Sequence, residues 1–445
     1  MVVAAVVGFS WPCGVLAAGR RDHKAEMSYL DDGQIKLGVD LNLGGAVTYL
    51  SKSGSDVNLI NSWDWGRQVQ MSYYSGPVPF TPGGKQPAPE WRGLGWNPIQ
   101  AGDHFGNSSK TVEHTNDGKT IYVKCVPMQW PLDNVPLEGT FETWYTLEGS
   151  AVRVRARLNN ARGDKTQWPA RTQELPAVYT NGTFYRLMTY KGDKPFTGGE
   201  LTRIEHFLKP EDPWAGWFAS ENWAALVNDD GWGLGVWNPG CYHFSGGFAG
   251  KPGKGGSKDD PTGYIAPNRQ EILDHNIRHE YEYTLIVGDL KAIRAWVYEH
   301  AKAQGRPPTY RFEKDRQGWH YVHATDAGWP IEGELNVKLE GKDPQLIGPP
   351  GFWRAEEGPV VYIRAAFRTH EKTAQLFWFT FGERPAAHHV DFPVTGDGAY
   401  HTYAVRLADS KEYAGVITGL RLDPVSAGRE GEWVKVKAVG FEKVE

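Results

Sequence analysis

The chain has 445 residues, a formal net charge of −5 and a pI near 6.3. This length exceeds one ordinary domain, so two domains are expected, and the slightly acidic balance gives no reason to expect nucleic acid or an anionic membrane surface as a partner. The 53 glycines and 29 prolines imply many turns, which is typical of all-β proteins.

Residues 1–18 are apolar and end in small side chains just before the charged residues 20–22. This pattern predicts a secretory signal peptide that is cleaved near Ala17 or Ala18, and therefore a secreted or periplasmic protein. The apolar run is shorter than the roughly 20 residues that a membrane-spanning helix needs, so no transmembrane segment is predicted.

Once the signal peptide is removed, Cys125 and Cys241 are the remaining cysteines. In an exported protein they could form one disulfide, or they could remain two separate buried thiols. The sequence leaves both alternatives open.

Apolar and polar residues alternate along much of the chain before residue 289, as expected of strands that are buried on one face. In the segment 151–158, AVRVRARL, the apolar side chains alternate with Arg153, Arg155 and Arg157. The arginine face is expected to face solvent, and the floor of an anion-binding cleft is the alternative. The other predicted strands here are 35–43, 120–126, 140–147, 223–228, 233–237 and 278–287.

One helix is predicted, over 289–305, with Asp289 as its N-cap and a glycine at its end. The sequence Arg-Pro-Pro at 306–308 cannot continue this helix and forms a stiff linker. We therefore expect a first domain over 23–305 and a second domain over 309–445.

The second domain shows short strand patterns and no helix pattern, so a β-sandwich is predicted, most simply a jelly roll. Both domains are therefore expected to be all-β. The predicted strands of the second domain are 334–339, 360–367, 375–381, 389–392, 401–407, 415–422 and 432–441.

The stretch 58–107 combines many aromatic rings with amides, an arginine and acids. The C–H faces of a pyranose stack on aromatic rings, and its hydroxyls need paired donors and acceptors. Because a buried amide is costly unless it is hydrogen-bonded, this density of amides predicts the wall of a polar cleft rather than a core. The predicted substrate-binding residues of this stretch are Arg67, Gln68, Gln70, Tyr74, Trp96, Asn97 and Gln100.

The segment 66–74 alternates like a strand, which places Gln68, Gln70 and Tyr74 on one polar face. Arg67 lies at the entry of this strand, where it could bind a carboxylate or sugar hydroxyls with two parallel hydrogen bonds. The alternative is that Arg67 forms a structural salt bridge.

Asp103 and His104 adjoin in a loop beside these residues, so one could act as acid or base while the other tunes its pKa. The alternative is that Asp103 caps a turn and His104 is solvated.

A second polar cluster surrounds Glu174. Glu174 is the predicted general acid/base or nucleophile, and Tyr179 is a candidate acid for lyase chemistry. Arg171 and Gln173 are predicted substrate-binding residues. The alternative is that Glu174 only pairs with Arg171.

Glycoside hydrolysis needs a second carboxyl at roughly 5–10 Å. Asp103, Asp229 and Asp230 are the candidates, although Asp229 and Asp230 also read as the turn of a hairpin. His275 and His279 have the spacing of a metal pair on a helix, but the alternation after His279 predicts a strand. No metal site and no cofactor are predicted, and a structural Ca²⁺ is left open.

The opening of the first domain resembles galactose-mutarotase-like β-supersandwich proteins, through a Gly44-Gly45 turn and a following Gly66-Arg67 pair. In that family the corresponding arginine reaches the sugar cleft. The Asn-His-Tyr-Phe-type motif that supplies the catalytic histidine of the mutarotases is absent, so epimerisation of a free sugar is not expected.

The second domain resembles jelly-roll carbohydrate-binding modules, through Gly318-Trp319 and the segments YIRAAF and GLRLDP. The supersandwich fold also serves polysaccharide lyases, glycoside hydrolases and binding proteins, so fold alone does not give the function.

The leading hypothesis is a secreted polysaccharide-degrading enzyme, either a hydrolase or a lyase, whose partner is a poly- or oligosaccharide. The alternatives are a glycan-binding protein without turnover and a structural surface or assembly protein. Two acids that face each other would favour a hydrolase, whereas a tyrosine or histidine with an arginine and no second acid would favour a lyase.

Overall fold

The structure is a computed structural model that describes residues 23–205, 213–301, 306–383 and 388–444. The predicted signal peptide, 1–18, lies outside the described residues. Within the described ranges, none of the helices has the length and apolar character that crossing a membrane requires.

The chain divides into two compact units. Unit 1 comprises the residues up to Asp164, Thr172–Arg269 and His275–Ala301. Unit 2 comprises Lys165–Arg171, Gln270–Asp274 and the residues after Ala301. Unit 2 therefore takes two short segments from the earlier part of the chain, which the sequence analysis did not predict.

The regular structure is almost entirely β, which confirms the all-β prediction. The strands before the helix are β1 (Met27–Asp31), β2 (Ile35–Asp40), β3 (Ala46–Lys52), β4 (Val69–Ser72), β5 (Pro98–Ile99), β6 (Lys110–Asn116), β7 (Thr120–Val126), β8 (Met128–Gln129), β9 (Gly139–Glu148), β10 (Ala151–Asn160), β11 (Arg171–Asn181), β12 (Arg186–Thr189), β13 (Thr202–Arg203), β14 (Trp214–Phe218), β15 (Trp223–Val227), β16 (Trp232–Trp237), β17 (His243–Ala249), β18 (Thr262–Glu271) and β19 (Arg278–Asp289).

The helix α1 (Leu290–His300) follows directly. The later strands are β20 (Thr309–Arg311), β21 (His320–Val322), β22 (Thr325–Asp326), β23 (Leu335–Lys338), β24 (Gly341–Lys342), β25 (Gln345–Ile347), β26 (Trp353–Arg354), β27 (Val360–Arg368), β28 (Thr373–Thr380), β29 (His388–Pro393), β30 (Tyr400–Arg406), β31 (Val416–Asp423), β32 (Ala427–Gly428) and β33 (Trp433–Gly440). Short 3-10 helices cover Leu41–Leu43, Pro82–Gly84, Pro89–Leu94, Ala355–Glu357 and Leu407–Asp409.

The described strands of unit 1 form two large antiparallel sheets. One has the order β1-β2-β3-β4-β11-β18-β17-β14, with β5 and β8 attached beside β4, and the other has the order β13-β12-β15-β16-β19-β10-β9-β7-β6. The sheets pack face to face: the Tyr73 hydroxyl lies 3.0 Å from Nδ1 of His279, and the Tyr145 hydroxyl donates to the carbonyl of Gly45 at 2.9 Å. His279 is therefore a core residue of β19.

The Gly44-Gly45 turn allows the two sheets to approach closely. Both glycines have positive φ, at 59° and 77°, which is strained for other residues. A Cβ on Gly45 would lie 2.6 Å from a methyl group of Val123 on the facing sheet. The turn thus needs glycine for its conformation and for the space.

Strand β10 shows how the alternating pattern becomes structure. Val154, Ala156 and Leu158 are buried, whereas Arg153 and Arg155 are exposed. The Arg155 guanidinium lies over the ring of Trp144, 4.0 Å from its centroid. The arginine face is therefore on the solvent side of its sheet.

Helix α1 begins where predicted, because Asp289 caps it by accepting from the N–H of Ala292 at 2.8 Å. Ile293 and Val297 form its buried stripe. The helix ends at His300, before the predicted residue 305, and Ala301 already has an extended conformation.

A buried ion pair fixes this helix to its sheet. Arg294 of α1 donates from Nε and Nη2 to the carboxylate of Glu221, at 3.1 and 2.8 Å, and the Glu221 side chain has no exposed surface. The hydroxyl of Tyr298 and the indole N–H of Trp223 donate to the same carboxylate at 2.7 and 3.0 Å. The buried charge is therefore fully paired.

Unit 2 is a β-sandwich with jelly-roll order. Its main described strands, β23, β25, β27, β28, β29, β30, β31 and β33, form sheets with the orders β23-β33-β27-β30 and β25-β31-β28-β29. If these eight strands are numbered along the chain, the orders are 1-8-3-6 and 2-7-4-5, which confirms the predicted jelly roll. The tryptophans 319, 353 and 378 are each 1% exposed and belong to the core between the sheets.

A buried arginine connects the separate segments of unit 2. Arg316 makes two hydrogen bonds to the carboxylate of Asp274, at 2.7 and 2.9 Å, and a third to Asp326 at 2.6 Å. The amide of Gln167 donates to both aspartates, at 2.9 and 3.0 Å. These contacts explain why Lys165–Arg171 and Gln270–Asp274 pack with unit 2.

Cys125 and Cys241 are separate buried thiols, so of the two alternatives the disulfide is wrong. Burial raises the pKa of the Cys125 thiol to about 12.

Replacing Arg294 tests the role of the buried ion pair. The substitution Arg294→Leu should lower the free energy of unfolding by about 3–5 kcal/mol, because it leaves the carboxylate of Glu221 buried without its cation. The matched control is Arg153→Leu, which breaks an exposed pair with Glu148 and should change stability by less than about 1 kcal/mol. Urea denaturation measures both, and equal effects would contradict this role for the ion pair.

Candidate functional site

The candidate site is built on the pairing of β11 with β4. Glu174 pairs with Ser72 and Ala177 pairs with Gln70, so one extra residue of β11 is accommodated between them in a β-bulge. In a regular strand, Glu174 and Tyr179 would point to opposite faces because they are five residues apart. The bulge places both on the same face.

The carboxyl of Glu174 is held by tyrosine hydroxyls. The Tyr74 hydroxyl donates to Oε2 at 2.9 Å, and the hydroxyl of Tyr264, from β18, donates to Oε1. Among the described residues, the partners of the carboxyl are thus neutral donors and not the predicted Arg171, which is assigned to unit 2.

Aromatic rings surround the carboxyl. The rings of Tyr179 and Tyr264 have centroids 4.8 Å apart, and Trp214 packs against Tyr264 at 5.0 Å. Tyr179 and Tyr264 are buried, while Glu174, Tyr74 and Trp214 keep part of their surface exposed. The result is an aromatic surface around one accessible carboxyl group.

The environment raises the pKa of the Glu174 carboxyl and of the tyrosines around it. Burial raises the pKa of the Glu174 carboxyl above its usual value near 4.5, although hydrogen bonds from Tyr264, Tyr74 and Ser72 oppose the shift. Burial, together with the charge of Glu174, raises the pKa of Tyr74, Tyr179 and Tyr264 well above 10. The tyrosines therefore remain neutral donors, and the carboxyl holds its proton more tightly than an exposed glutamate does.

An arginine with two acids adjoins the tyrosines. Nε of Arg67 lies 3.1 Å from the carboxylate of Asp64, and its Nη1 lies 3.1 Å from that of Asp260. Burial raises the pKa of Asp64, and the charge of Arg67 opposes the shift. The charges of Glu174, Arg67 and Asp64 all affect the pKa of Tyr179, so these groups belong to one electrostatically coupled cluster.

The loop between β17 and β18 is fixed beside Arg67. The Asn61 amide donates to the carbonyls of Asp259 and Pro261, at 3.0 and 3.1 Å, and the N–H of Ser62 donates to the carbonyl of Ser257 at 2.7 Å. Asp260, which pairs with Arg67, lies in this anchored segment.

The predicted binding amides have a different role. Gln70 accepts from the N–H of Ala101 and donates to the carbonyl of Trp65, while Gln100 accepts from Met71 and donates to Gly44. The side-chain amide of Gln68 donates to the backbone carbonyl of Asp64, and that of Asn97 donates to the backbone carbonyl of Tyr73. Gln173 forms two hydrogen bonds with the backbone of Tyr74. The amides at positions 68, 70, 97, 100 and 173 are at most 2% exposed.

These amides therefore bind loop backbone and not a ligand. Strand β4 is only four residues long, so the loops beside it lack strand partners for their N–H and C=O groups. The argument that a core would not carry amides was wrong here, because a buried amide is costly only when it is unpaired. We assign Gln173 a positioning role, since it holds the backbone of Tyr74 next to Glu174.

Asp103 also serves the backbone. Its carboxylate accepts from the N–H groups of Phe105, Asn107 and Asn134, at 2.8–2.9 Å, and from the side-chain amide of Asn107. It is 1% exposed. We therefore assign Asp103 to the structure of its loop and not to proton transfer.

The side chain of His104 makes its contacts with residues other than Asp103. Its Nε2 lies 2.9 Å from the carboxylate of Glu90, and its ring contacts those of Trp91 and Trp130. The predicted acid–base pair is therefore replaced by a His104–Glu90 pair. Asp229 and Asp230 lie in the turn that joins β15 and β16, as the hairpin interpretation expected.

Three residues of the site were missed from the sequence, namely Trp214, Asp260 and Tyr264, whereas Asp64 and Glu90 were acid–base candidates of the stretch 58–107. The two aromatics come from strands far along the chain, and no short-range pattern connects them with Glu174. Within the part of the chain that the structure describes, no group of three or more acidic, histidine or cysteine side chains could hold a metal ion.

Unit 2 has a row of partly exposed side chains on one sheet. Arg421 pairs with Phe377 across the strands, and its guanidinium lies 3.9 Å from the centre of the Phe377 ring. Two hydrogen bonds to Asp423, at 2.8 and 2.7 Å, hold the guanidinium flat. His389 continues the row with a ring contact to Phe377 at 4.6 Å.

Known proteins that are similar to the chain are found among solved structures. No family model and no curated protein matches the chain. Among solved structures, the chain is similar to a galactose mutarotase-like protein from Lactobacillus casei, with 12% identity over 59% of this chain and 100% of that chain and a TM-score of 0.39.

Two further solved structures are similar over a comparable share of the chain. A galactose mutarotase related enzyme from Lactobacillus acidophilus has 11% identity over 59% of this chain and 97% of that chain, with a TM-score of 0.34. A 4-alpha-glucanotransferase from Thermococcus litoralis has 11% identity over 60% of this chain and 40% of that chain, with a TM-score of 0.31.

The raised pKa of Glu174 predicts a pH-dependent effect on stability. The folded chain holds the Glu174 proton more tightly than the unfolded chain, so this contribution is fully present below about pH 4.5 and is lost as the pH rises through the raised pKa. Glutamine is neutral at every pH. The melting temperature of Glu174→Gln relative to the native chain should therefore increase from pH 4 upward and then level off. A difference that is constant with pH would contradict the shift.

Replacing Asp103 tests its structural role. Asp103→Ala should lower the free energy of unfolding by about 2–4 kcal/mol, because several partly buried N–H groups lose their acceptor. The control is Asp117→Ala, which removes an exposed turn carboxylate that accepts from Lys119 and Thr120 and should have a much smaller effect. Denaturant unfolding measures both, and similar small losses would argue against the structural role.

Proposed function

We propose that the protein is a secreted carbohydrate-active enzyme that degrades a poly- or oligosaccharide at the Glu174 site of unit 1. The observation that carries this proposal is a partly exposed carboxyl with a raised pKa, held by two tyrosine hydroxyls within an aromatic surface. Pyranose rings stack on such surfaces, and a carboxyl whose pKa is raised above its usual value is suited to protonate a glycosidic oxygen.

Hydrolysis is favoured over β-elimination. A tyrosine that acts as the base of β-elimination must first ionise, and burial and the neighbouring carboxyl keep the site tyrosines neutral, so Tyr179 could serve only as the predicted acid. Asp64 adds a second carboxyl to the neighbourhood, next to the Arg67 guanidinium. In this proposal Glu174 is the general acid, Asp64 is the second carboxyl, and Arg67 orients Asp64 while binding sugar hydroxyls.

The row formed by Phe377, Arg421 and His389 is the proposed glycan-binding surface of unit 2. A flat guanidinium stacked on an aromatic ring offers both a hydrogen-bonding edge and an apolar face to a sugar. Export of the protein rests on the apolar segment 1–18.

A glycan panel tests the proposal for unit 1. Products are scored as new reducing ends and as ultraviolet absorbance from unsaturated sugars, for the native protein and for Glu174→Gln. The substitution should reduce turnover at least about 100-fold, since it removes the general acid. Reducing ends without unsaturated products would identify a hydrolase, whereas unsaturated products would identify a lyase.

The matched control is Glu142→Gln. Glu142 is another poorly exposed glutamate that accepts from a tyrosine, Tyr122, but it lies on the other sheet of unit 1 and pairs with Arg157. It should retain turnover within a few-fold. Glycan binding without product in the native protein would identify the alternative, a binding protein without turnover, and equal losses in both variants would refute the role of Glu174.

A further inference from the structure

A cavity of about 300 Å³ lies in unit 1, apart from the Glu174 carboxyl and its tyrosines. Its apolar walls come from the loop after Tyr74 and from the segment after β8. They consist of Pro77, Phe80, Pro82, Trp96, Val135 and Pro136. This volume is at the lower end of known ligand pockets, which suits one ring-sized group.

Two residues with hydrogen-bond donors that are unpaired within the described ranges line this cavity. Gln129 is 2% exposed, and its Oε1 accepts from the N–H of Asn97 at 2.9 Å, while no residue in the described part of the chain accepts a hydrogen bond from its Nε2. Trp96 is also 2% exposed, and its indole N–H likewise has no acceptor among the described residues. Neither nitrogen is fully enclosed, so each can donate to a ligand or water that occupies the cavity.

The charges at the cavity limit the class of ligand. Arg162 lies 3.4 Å from Asp164, and Glu138 accepts from the N–H of Gly163 at 2.7 Å. Two carboxylates and one guanidinium make the lining unfavourable for an anion, while the donors of Gln129 and Trp96 do not suit a cation. A hydrocarbon ring would leave both donors unpaired.

We infer that this cavity is a subsite for a neutral pyranose residue. Hydroxyl groups both donate and accept, so they can pair with Gln129 and Trp96 as well as with the carboxylates, and the ring can stack on Trp96 or Phe80. This inference rests on the proposed carbohydrate function and extends it to a second position on the chain.

The cavity is near the Glu174 site along the backbone. Ser75, the residue after Tyr74, pairs with Trp96, and Pro77 is three residues beyond Tyr74, or at most about 11 Å along the chain. A neighbouring sugar of the same oligosaccharide therefore has a binding position beyond Tyr74, where the subsite contributes to the choice of substrate.

The test follows the indole resonances of protein labelled with ¹⁵N-tryptophan, in which Trp96→Phe identifies the Trp96 signal. D-Galactose, D-glucose and D-mannose are titrated separately, and D-galacturonate is the charged counterpart of galactose. The Trp96 signal should shift with at least one neutral sugar, and Gln129→Met should weaken that binding about tenfold. The dispersion of the other indole signals reports that each variant is folded.

The subsite and the proposed function fail separately. The Trp96 shift should persist in Glu174→Gln, and its loss there would place the sugar at Glu174 and overturn the inference. A Trp96 signal that no neutral sugar moves, or tighter binding of galacturonate than of galactose, would also overturn it. A shift in a protein that shows no turnover on the glycan panel would retain the subsite and refute the enzymatic proposal.

Discussion

The bulge between β11 and β4 determines the geometry of the candidate site. It reverses the alternation of β11 after Glu174, so that the carboxyl and the Tyr179 ring share one face. Gln173 lies opposite the end of β4. There its side-chain amide forms the two hydrogen bonds with the backbone of Tyr74 that a neighbouring strand would otherwise form. Without the bulge, the carboxyl would be separated from the ring that Tyr264 contacts, and the aromatic surface would surround no acid.

The site also depends on how the loops around β4 satisfy their backbone. Side-chain amides from Gln70 and Gln100 take the place of a longer strand, and Asp103 does the same for the following loop. This arrangement makes a firm base for Tyr74 and Arg67, because their neighbours are fixed by hydrogen bonds on several sides. The polar residues that predicted a sugar-binding surface therefore stabilise the loops beside Tyr74 and Arg67.

The sequence predicted the fold better than the site, and the reason is physical. Alternation and turn residues are local, so the strand β10, the helix start at Asp289 and the strands of unit 2 could be predicted. The choice of Glu174 and Tyr74 came from composition alone. Their contact with Tyr264 requires pairing of β11 with β18, about 90 residues apart, which no local pattern reveals.

Asp103 shows the converse limit. A carboxylate among aromatics and amides has the same sequence signature whether it meets a ligand or three backbone N–H groups. The bulge was equally hidden, because a regular strand would have placed Tyr179 on the opposite face from Glu174. Only the paired structure distinguishes these cases.

The two buried thiols make the fold indifferent to the redox state of its surroundings. Disulfide exchange proceeds through the thiolate, and the Cys125 thiol, with its pKa near 12, stays protonated and shielded. The core is therefore complete without oxidation. Within the described residues, folding therefore does not require a disulfide bond between Cys125 and Cys241.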